Sequence, residues 1–292
     1  MNEPAPSLPA PAAPTPPPLI TFEVVTLFPE MLDGFLAGSL LGRAVAAGLI
    51  AVERTNPRDF APGRHRSVDD TPYGGGPGMI LRVEPFAAAL DEIVARRGPA
   101  RKILLSPQGA LLDQRKVRSL ATMQRIALVC GRYEGFDERI GSVLCDEELS
   151  IGDYVLAGGE LAAAVVIEAV ARLLPGVLGC GQSVVDESFS HPRLEHPQWT
   201  RPLAFRGHAV PAILLSGNHQ EIERWRREQA LRRTAARRPD LLERAPPTAE
   251  ERAWLPAGDA DPMASPRESV PDRTDLTPTV SAASNDAPPE HP

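Results

Sequence analysis

Three apolar, strand-like runs in the middle of this chain each end in a glycine-bearing loop, and that repetition constrains the fold more than any other feature. Lys102-Ile-Leu-Leu105 leads into Ser106-Pro-Gln-Gly109, and Ile126-Ala-Leu-Val-Cys130 leads into Gly131-Arg-Tyr-Glu-Gly135. The run 143–149 leads into Ser150-Ile-Gly-Asp-Tyr-Val-Leu-Ala-Gly-Gly-Glu160. Glycine accepts positive φ and lets a ligand approach the backbone, so a glycine loop between strand and helix reads as a ligand cradle. Three of them direct three strand ends at one crevice, where an open α/β sheet holds a cofactor.

The flanking pattern agrees. Ile20 to Leu27 is a β-branched run closed by Phe28-Pro29 and predicts a first buried strand. Helical spacing follows over 29–36 and 40–49, then a strand at 50–54. Further on, helices at 85–97, 113–121, 136–142 and 159–174 alternate with strands at 101–105, 125–130 and 143–149. Such alternation predicts an α/β fold with a mostly parallel sheet and flanking helices. Pro175-Gly176 stops the last helix, and residues 176–200 are Gly-rich and then polar, which places a domain boundary there. A strong helix from Asn218 to Arg233 and shorter pieces up to Trp254 predict a small helical C-terminal domain. The expected organisation is a Pro-rich extension (1–18), a main domain (19–178), a linker (179–188), the C-terminal domain (189–255) and a tail (256–292).

The ends distort the charge. Residues 255–292 hold five Asp, two Glu and two Arg, and the first 18 residues hold eight Pro and one Glu. Of the formal net charge of −7, only −1 therefore belongs to residues 19–254. An acidic average does not argue against a polyanionic partner here, because the acidity lies outside the part expected to fold. Cys130, Cys145 and Cys180 are odd in number and widely spaced, which speaks against a disulfide framework or a structural zinc site. No apolar run approaches the ~20 residues that cross a bilayer. The N-terminus has no basic region followed by an apolar one, so the expected location is the cytoplasm, with no membrane partner.

Several polar groupings remain. The long loop 55–80 contains Tyr73-Gly-Gly-Gly-Pro-Gly-Met79, whose consecutive N–H groups suit an anion but which lacks the Lys-[Ser/Thr] of a phosphate-binding P-loop. Upstream in the same loop, Arg58, Asp59, Arg64, Arg66, Asp69 and Asp70 combine arginine forks for phosphate with carboxylates that can orient them or accept from base edges. Ser216-Gly-Asn-His219 spells a hydrolase motif, but it opens a helix, where Asn218 as N-cap with Glu221 in a capping box explains it without chemistry. Glu221 to Arg238 carries seven arginines against three glutamates, a solvated face or a polyanion contact. Arg172 ends an apolar helix, where a cation complements the helix dipole. Asp186 and Glu187 lie in the polar linker.

In combination these residues resemble one family, the bacterial tRNA (guanine-N1)-methyltransferases (TrmD) of the knotted SPOUT class. The likeness runs from about Phe22 to about Leu242 and is carried by motifs in order. They are Leu27-Phe-Pro-Glu30, Gly42-Arg-Ala-Val45, Pro57-Arg-Asp59, Val68-Asp-Asp70, Pro72-Tyr-Gly-Gly-Gly-Pro-Gly-Met79, Ser106-Pro-Gln-Gly109 and Val129-Cys-Gly-Arg-Tyr-Glu-Gly135. Ser150-Ile-Gly-Asp-Tyr-Val155, Pro175-Gly-Val-Leu-Gly179, Trp199-Thr-Arg-Pro202 and Leu215-Ser-Gly-Asn-His219 complete the set.

The resemblance implies a deep trefoil knot whose glycine loops hold S-adenosylmethionine. Its contacts would come from Leu104, Leu105, Ser106, Pro107 and Gly109 of the first loop and from Gly131, Arg132 and Glu134 of the second. Ile151, Gly152, Tyr154, Leu156, Gly158 and Gly159 of the third would complete them. It also implies a homodimer with a shared active site, tRNA as substrate, methylated on N1 of the guanosine at position 37, and Mg²⁺ dependence without a recognisable metal-ligand set. Arg58, Asp59, Asp69, Asp70 and Tyr73, with Ser216, Asn218, His219 and Arg226, would bind the tRNA. The family commonly places its catalytic aspartate directly before Ser-Phe; here Glu187 precedes Ser188-Phe189 and Asp186 precedes Glu187. Guanine N1 carries a proton at neutral pH, so transfer needs a base beside it and a cation near O6. Glu187 is assigned as the base, Asp186 as its alternative, and Arg172 as the O6 partner. Two readings from other classes are a nucleotide-binding hydrolase using the 74–78 loop with Ser216, and a non-catalytic RNA-binding module.

Overall fold

The computed structural model describes residues 16–178 and 187–255. Asp186 and Cys180, most of the expected linker, and the terminal segments 1–15 and 256–292 lie outside the described residues. The chain divides into two units between His191 and Pro192.

The first unit is built on a five-stranded parallel sheet whose order is β2 (Ile50–Thr55), β1 (Ile20–Val25), β6 (Arg125–Cys130), β5 (Arg101–Leu111), β7 (Glu147–Ser150). From the N-terminus come β1 (Ile20–Val25), a 3-10 turn (Pro29–Leu32), α1 (Asp33–Ala37), α2 (Ser39–Ala46) and β2 (Ile50–Thr55). A two-residue antiparallel pair, β3 (Asp69–Asp70) with β4 (Ile80–Leu81), sits within the long loop. Then come α3 (Val83–Arg97), β5 (Arg101–Leu111), α4 (Gln114–Leu120), β6 (Arg125–Cys130), β7 (Glu147–Ser150) and α5 (Glu160–Ala171).

Strand β6 reads as a near-continuous apolar run, and β1 as one interrupted by Thr21 and Glu23, because parallel strands here are covered on both faces. Phe22, Val24, Leu105 and Leu128 face a core that includes Val166, Ile167 and Val170 of α5. Val25, Leu104, Ala127 and Val129 face another that includes Phe86, Leu90 and Ile93 of α3. Glu23 breaks the apolar run yet is fully buried, because Arg97 and Arg125 both pair with its carboxylate. A buried carboxylate is tolerated when paired in this way.

Two local expectations are corrected. Ser106-Pro-Gln-Gly109 is not a loop after a short strand but a bulge inside an eleven-residue β5: Leu105 and Ala110 both pair with Leu149, and the residues between are extruded. In place of a helix over 136–142 there is a single π turn, Ile140–Leu144, and the strand that follows begins only at Glu147.

The second unit contains the short hairpin β8 (Ala204–Phe205) and β9 (His208–Ala209), then α6 (His219–Arg237), α7 (Pro239–Arg244) and α8 (Ala249–Arg252). Leu231, Thr234, Leu241 and Trp254 are buried within it. Arg193 grips Glu251 with both terminal nitrogens, at 2.6 and 2.9 Å, while Glu251 closes a capping box with Thr248. The Arg193 hydrogen bonds hold the Glu251 carboxyl below its ordinary 4.5, at about 2. A carboxylate depressed in the folded state contributes stability that is present above its unfolded value and lost as the pH falls. Thermal unfolding of this unit is accordingly expected to grow acid-sensitive from about pH 4.5 down to about pH 2. Glu251→Gln should start less stable and flatten that slope; equal slopes in melting curves across this range would refute the assignment.

Candidate functional site

One cavity of about 260 Å³ in the first unit gathers the three glycine loops. Leu104, Leu105, Ser106, Pro107, Gly131, Arg132, Glu134, Ile151, Gly152, Tyr154, Leu156, Gly158 and Gly159 all line it, and Gly109 does not. Gly109 instead lies flat on β7, where a Cβ would come within 2.3 Å of the Leu149 nitrogen. Gly159 has a similar role one loop away: its N–H donates to the Gly131 carbonyl at 3.0 Å, and a Cβ there would lie 2.7 Å from Cys130 Cα. These two glycines let separate loops close on one another's backbone.

The lining also includes groups that the sequence pattern does not single out, among them Gln108, Tyr133, Asp137, Glu138 and Glu148. Tyr133 could have been suspected only from its place between two loop glycines; it sits in the left-handed region at φ 59°, strain of a kind that collects at functional sites. Asp137 is held below the usual carboxylate range by hydrogen bonds from the Arg139 guanidinium, at 2.8 and 2.6 Å. The buried Cys130 thiol, directly before the second loop, is pushed up by burial and by Glu160, which leaves it unreactive.

The long loop approaches the same cavity. The Glu134 N–H donates to the Met79 carbonyl at 3.1 Å, and a Cβ on Gly78 would meet the Glu134 side chain. Tyr73 is fully exposed, Asp59 pairs with Arg66 at 3.2 Å, and Arg58 is half-buried in the 3-10 turn Pro57–Phe60. Asp70 accepts from the Thr71 N–H at 2.8 Å, while Asp69 belongs to the β3–β4 pair.

Arg172 and Glu187 meet as a two-point ion pair, Nη1 to Oε1 at 2.8 Å and Nη2 to Oε2 at 2.6 Å. This pairing raises the Arg172 guanidinium further above its ordinary range. Arg118, on α4, donates to the carbonyls of Phe189 and Ser190 at 3.3 and 3.0 Å and so fixes the turn after Glu187. Nothing in the sequence singles out Arg118, one of three cations on a short helix.

Neither Arg172 nor Glu187 lines the cavity. Gly159 and Glu160 open α5 at the cavity and Arg172 caps its other end, a separation of roughly 16–18 Å along the helix axis.

In the second unit, Ser216 Oγ donates to the Ile213 carbonyl at 2.8 Å and accepts from the Asn218 N–H at 3.1 Å. Asn218 caps α6 by accepting from the Glu221 N–H at 3.3 Å. The capping box expected there is therefore only half made, since the Asn218 N–H goes to Ser216. His219, Arg224, Arg226, Arg227 and Arg237 are exposed. Arg232 and Arg233 are tied inward, to the carbonyls of Trp254 and Glu195 at 2.9 and 3.2 Å. Among the described residues, no three His, Cys, Asp or Glu side chains group so as to hold a metal ion, and no helix is long and apolar enough to cross a membrane.

A family model described as tRNA (Guanine-1)-methyltransferase TrmD matches residues 20–244. A Geobacter metallireducens protein named tRNA (guanine-N(1)-)-methyltransferase is 51% identical over 234 residues, 80% of this chain and 96% of its own. Proteins of the same name from Rhodopirellula baltica and Chloroflexus aurantiacus are each 56% identical over 225 residues, covering 93% and 88% of their own lengths.

Proposed function

We propose, because the chain belongs to the tRNA (guanine-1)-methyltransferase family, that it methylates N1 of the guanosine at tRNA position 37 with S-adenosylmethionine as donor. The observation that carries the reading is the convergence of three glycine loops, from three parallel strands, on one cavity. Glycines whose Cβ would strike neighbouring backbone make that cradle possible, and we read the interlocked loops as the trefoil knot of the family. When bound, S-adenosylmethionine supplies an electrophilic methyl group on a positively charged sulfur.

The protein's part is to remove a proton and steady a charge. Glu187 takes the N1 proton, and Arg172 donates to O6 as negative charge builds there. Each Glu187 oxygen is occupied by Arg172 in the free protein. Guanine therefore binds by taking one arm of the guanidinium fork for O6, which releases one carboxylate oxygen to face N1. Arg118 keeps that carboxylate's turn in place. Mg²⁺ is not assigned to any residue.

Cavity and ion pair are too far apart within one protomer for reacting atoms that must come within ~3–3.5 Å. A homodimer resolves this. Leu161 and Val165 stand exposed one turn apart on α5, and the heptad-like spacing 161, 165, 168, 172 puts Arg172 on the same side. Two-fold packing of that side on its copy, about an axis perpendicular to α5, runs the two helices in opposite directions and brings one protomer's cavity to the other's Arg172–Glu187 pair.

Isothermal titration should show binding of S-adenosylmethionine and of its demethylated product, as a hydrolase would not. Methyl transfer should proceed to a tRNA transcript with G37 and fail on the same transcript with A37; a chain that binds neither ligand would refute the reading.

His219, Arg226 and Arg237 recur on one side of α6, and we assign tRNA phosphate contacts to that side. Replacing Arg226 and Arg237 by Gln should flatten the slope of log affinity against log salt by about 0.7–0.9 for each phosphate no longer neutralised. Replacing Arg224 and Arg227, turned away on the helix, should leave it. Equal effects from both pairs would mean that no particular side of the helix is read.

A further inference from the structure

Glu160 is the first residue of α5 and only 1% exposed, yet it is a carboxylate. Its Oε1 accepts a hydrogen bond from Thr26 Oγ1 at 2.6 Å, and its Oε2 lies 3.0 Å from Arg132 Nη2. The Arg132 guanidinium is packed over the Phe28 ring at 4.5 Å. A Cβ on Gly158 would come within 2.3 Å of Arg132 Nε and 2.5 Å of Glu160 Oε2, so the end of the third loop is shaped around this pair.

Arg132 is also the single cation among the residues lining the cavity, where Glu134, Asp137, Glu138 and Glu148 are the carboxylates. A cation in that wall opposes a positively charged ligand, and a full negative charge sits directly behind it, out of contact with solvent. A loop anchor alone needs only hydrogen bonds, and burying a carboxylate for that purpose is costly. The placement has a use if the charge in the wall must be cancelled.

The two ligands that exchange in this cavity at each turnover differ by one charge: the donor carries a sulfonium, whereas its demethylated product is a neutral thioether. Fixed charges in a poorly screened cavity act on that difference. We propose that Glu160 determines specificity: by neutralising Arg132 it keeps the cavity selective for the cationic methyl donor over its neutral product. This rests on the reading of the cavity as the S-adenosylmethionine site.

The experiment is isothermal titration of the full chain with S-adenosylmethionine and with S-adenosylhomocysteine. Glu160→Gln preserves shape and the acceptor for Thr26 and removes only the charge. It should weaken the donor about tenfold more than the product. Adding Arg132→Met to the same chain should return the ratio to near the wild-type value. Equal weakening of both ligands, or an unchanged ratio, would reduce Glu160 to a loop anchor and overturn the proposal. If Glu160→Gln gives no cooperative melting curve, Thr26→Val, which removes the donor to the carboxylate and the acceptor of the Phe28 N–H but leaves both charges in place, should shift the ratio in the same direction by a smaller factor, and no shift there overturns it too. Wild-type protein that binds neither ligand would instead overturn the cofactor reading itself.

Discussion

Glu187→Gln is expected to lower single-turnover methylation by about 10²–10⁴-fold, the range that a positioned general base supplies, with donor affinity unchanged. The substitution keeps a hydrogen-bonding partner for Arg172 but cannot take the N1 proton. The donor should bind as before, because Glu187 is not among the residues lining the cavity of its own protomer and, across the interface, is assigned to the acceptor base rather than to the donor. Asp186→Asn should cost far less; a larger loss there would move the base one residue upstream. The same variant tests the shared site. Chains carrying Glu187→Gln, mixed with chains whose cavity is blocked by Ser106→Trp, have complementary defects: one keeps its cavity and the other its base. Random pairing should restore roughly a quarter of wild-type activity if the site spans a two-fold interface. If the mixture stays inactive, cavity and base belong to the same protomer after all.

Why some of this was legible in the sequence and some was not follows from the range of the interactions. Residues such as Ile126 to Cys130 declare a parallel strand because both faces are buried and every position is apolar. The glycine loops declare a cradle because positive φ and close approach leave few other residue types. Ser106-Pro-Gln-Gly109 misled because its composition is that of a turn, whereas β7 continues to pair on both sides of it. The π turn at Ile140–Leu144 was missed because apolar spacing barely distinguishes one extra residue per turn from an ordinary helix.

The site divides in the same way. The residue types of the glycine loops can be selected from local pattern, and the family resemblance supplies the roles proposed for them. That Arg172 pairs with Glu187 depends on how the chain returns after α5, and Arg118 enters through a contact 71 residues distant. Glu160 is visible as one of two carboxylates in the third loop, but its burial against Arg132 and its hydrogen bond from Thr26, 134 residues away, come only from the fold.

Gly109→Ala should weaken donor binding and destabilise the protein together, because one added methyl group acts on both. Its Cβ would stand 2.3 Å from the Leu149 nitrogen and 2.5 Å from the Glu148 carbonyl carbon, both main-chain atoms of β7. A side chain in the way could rotate, but a strand backbone cannot, so β5 and β7 must part at the bulge. Overpacking of this kind costs about 1–3 kcal/mol, which for a chain of this size lowers the melting temperature by roughly 2–12 °C. The bulge carries Ser106 and Pro107 into the cavity, and β7 ends where Ser150 and Ile151 enter it. Displacing the two strands therefore shifts two of the three loops at once, and donor affinity should fall by more than tenfold, about 1.4 kcal/mol. Gly98→Ala separates packing from backbone strain: Gly98 has φ 87° but nothing within 4 Å of its Cβ position. It should lower the melting temperature through strain alone and leave donor affinity as it was. If Gly109→Ala melts lower and still binds the donor normally, the bulge does not form the cradle, and the first loop must be removed from the cofactor site.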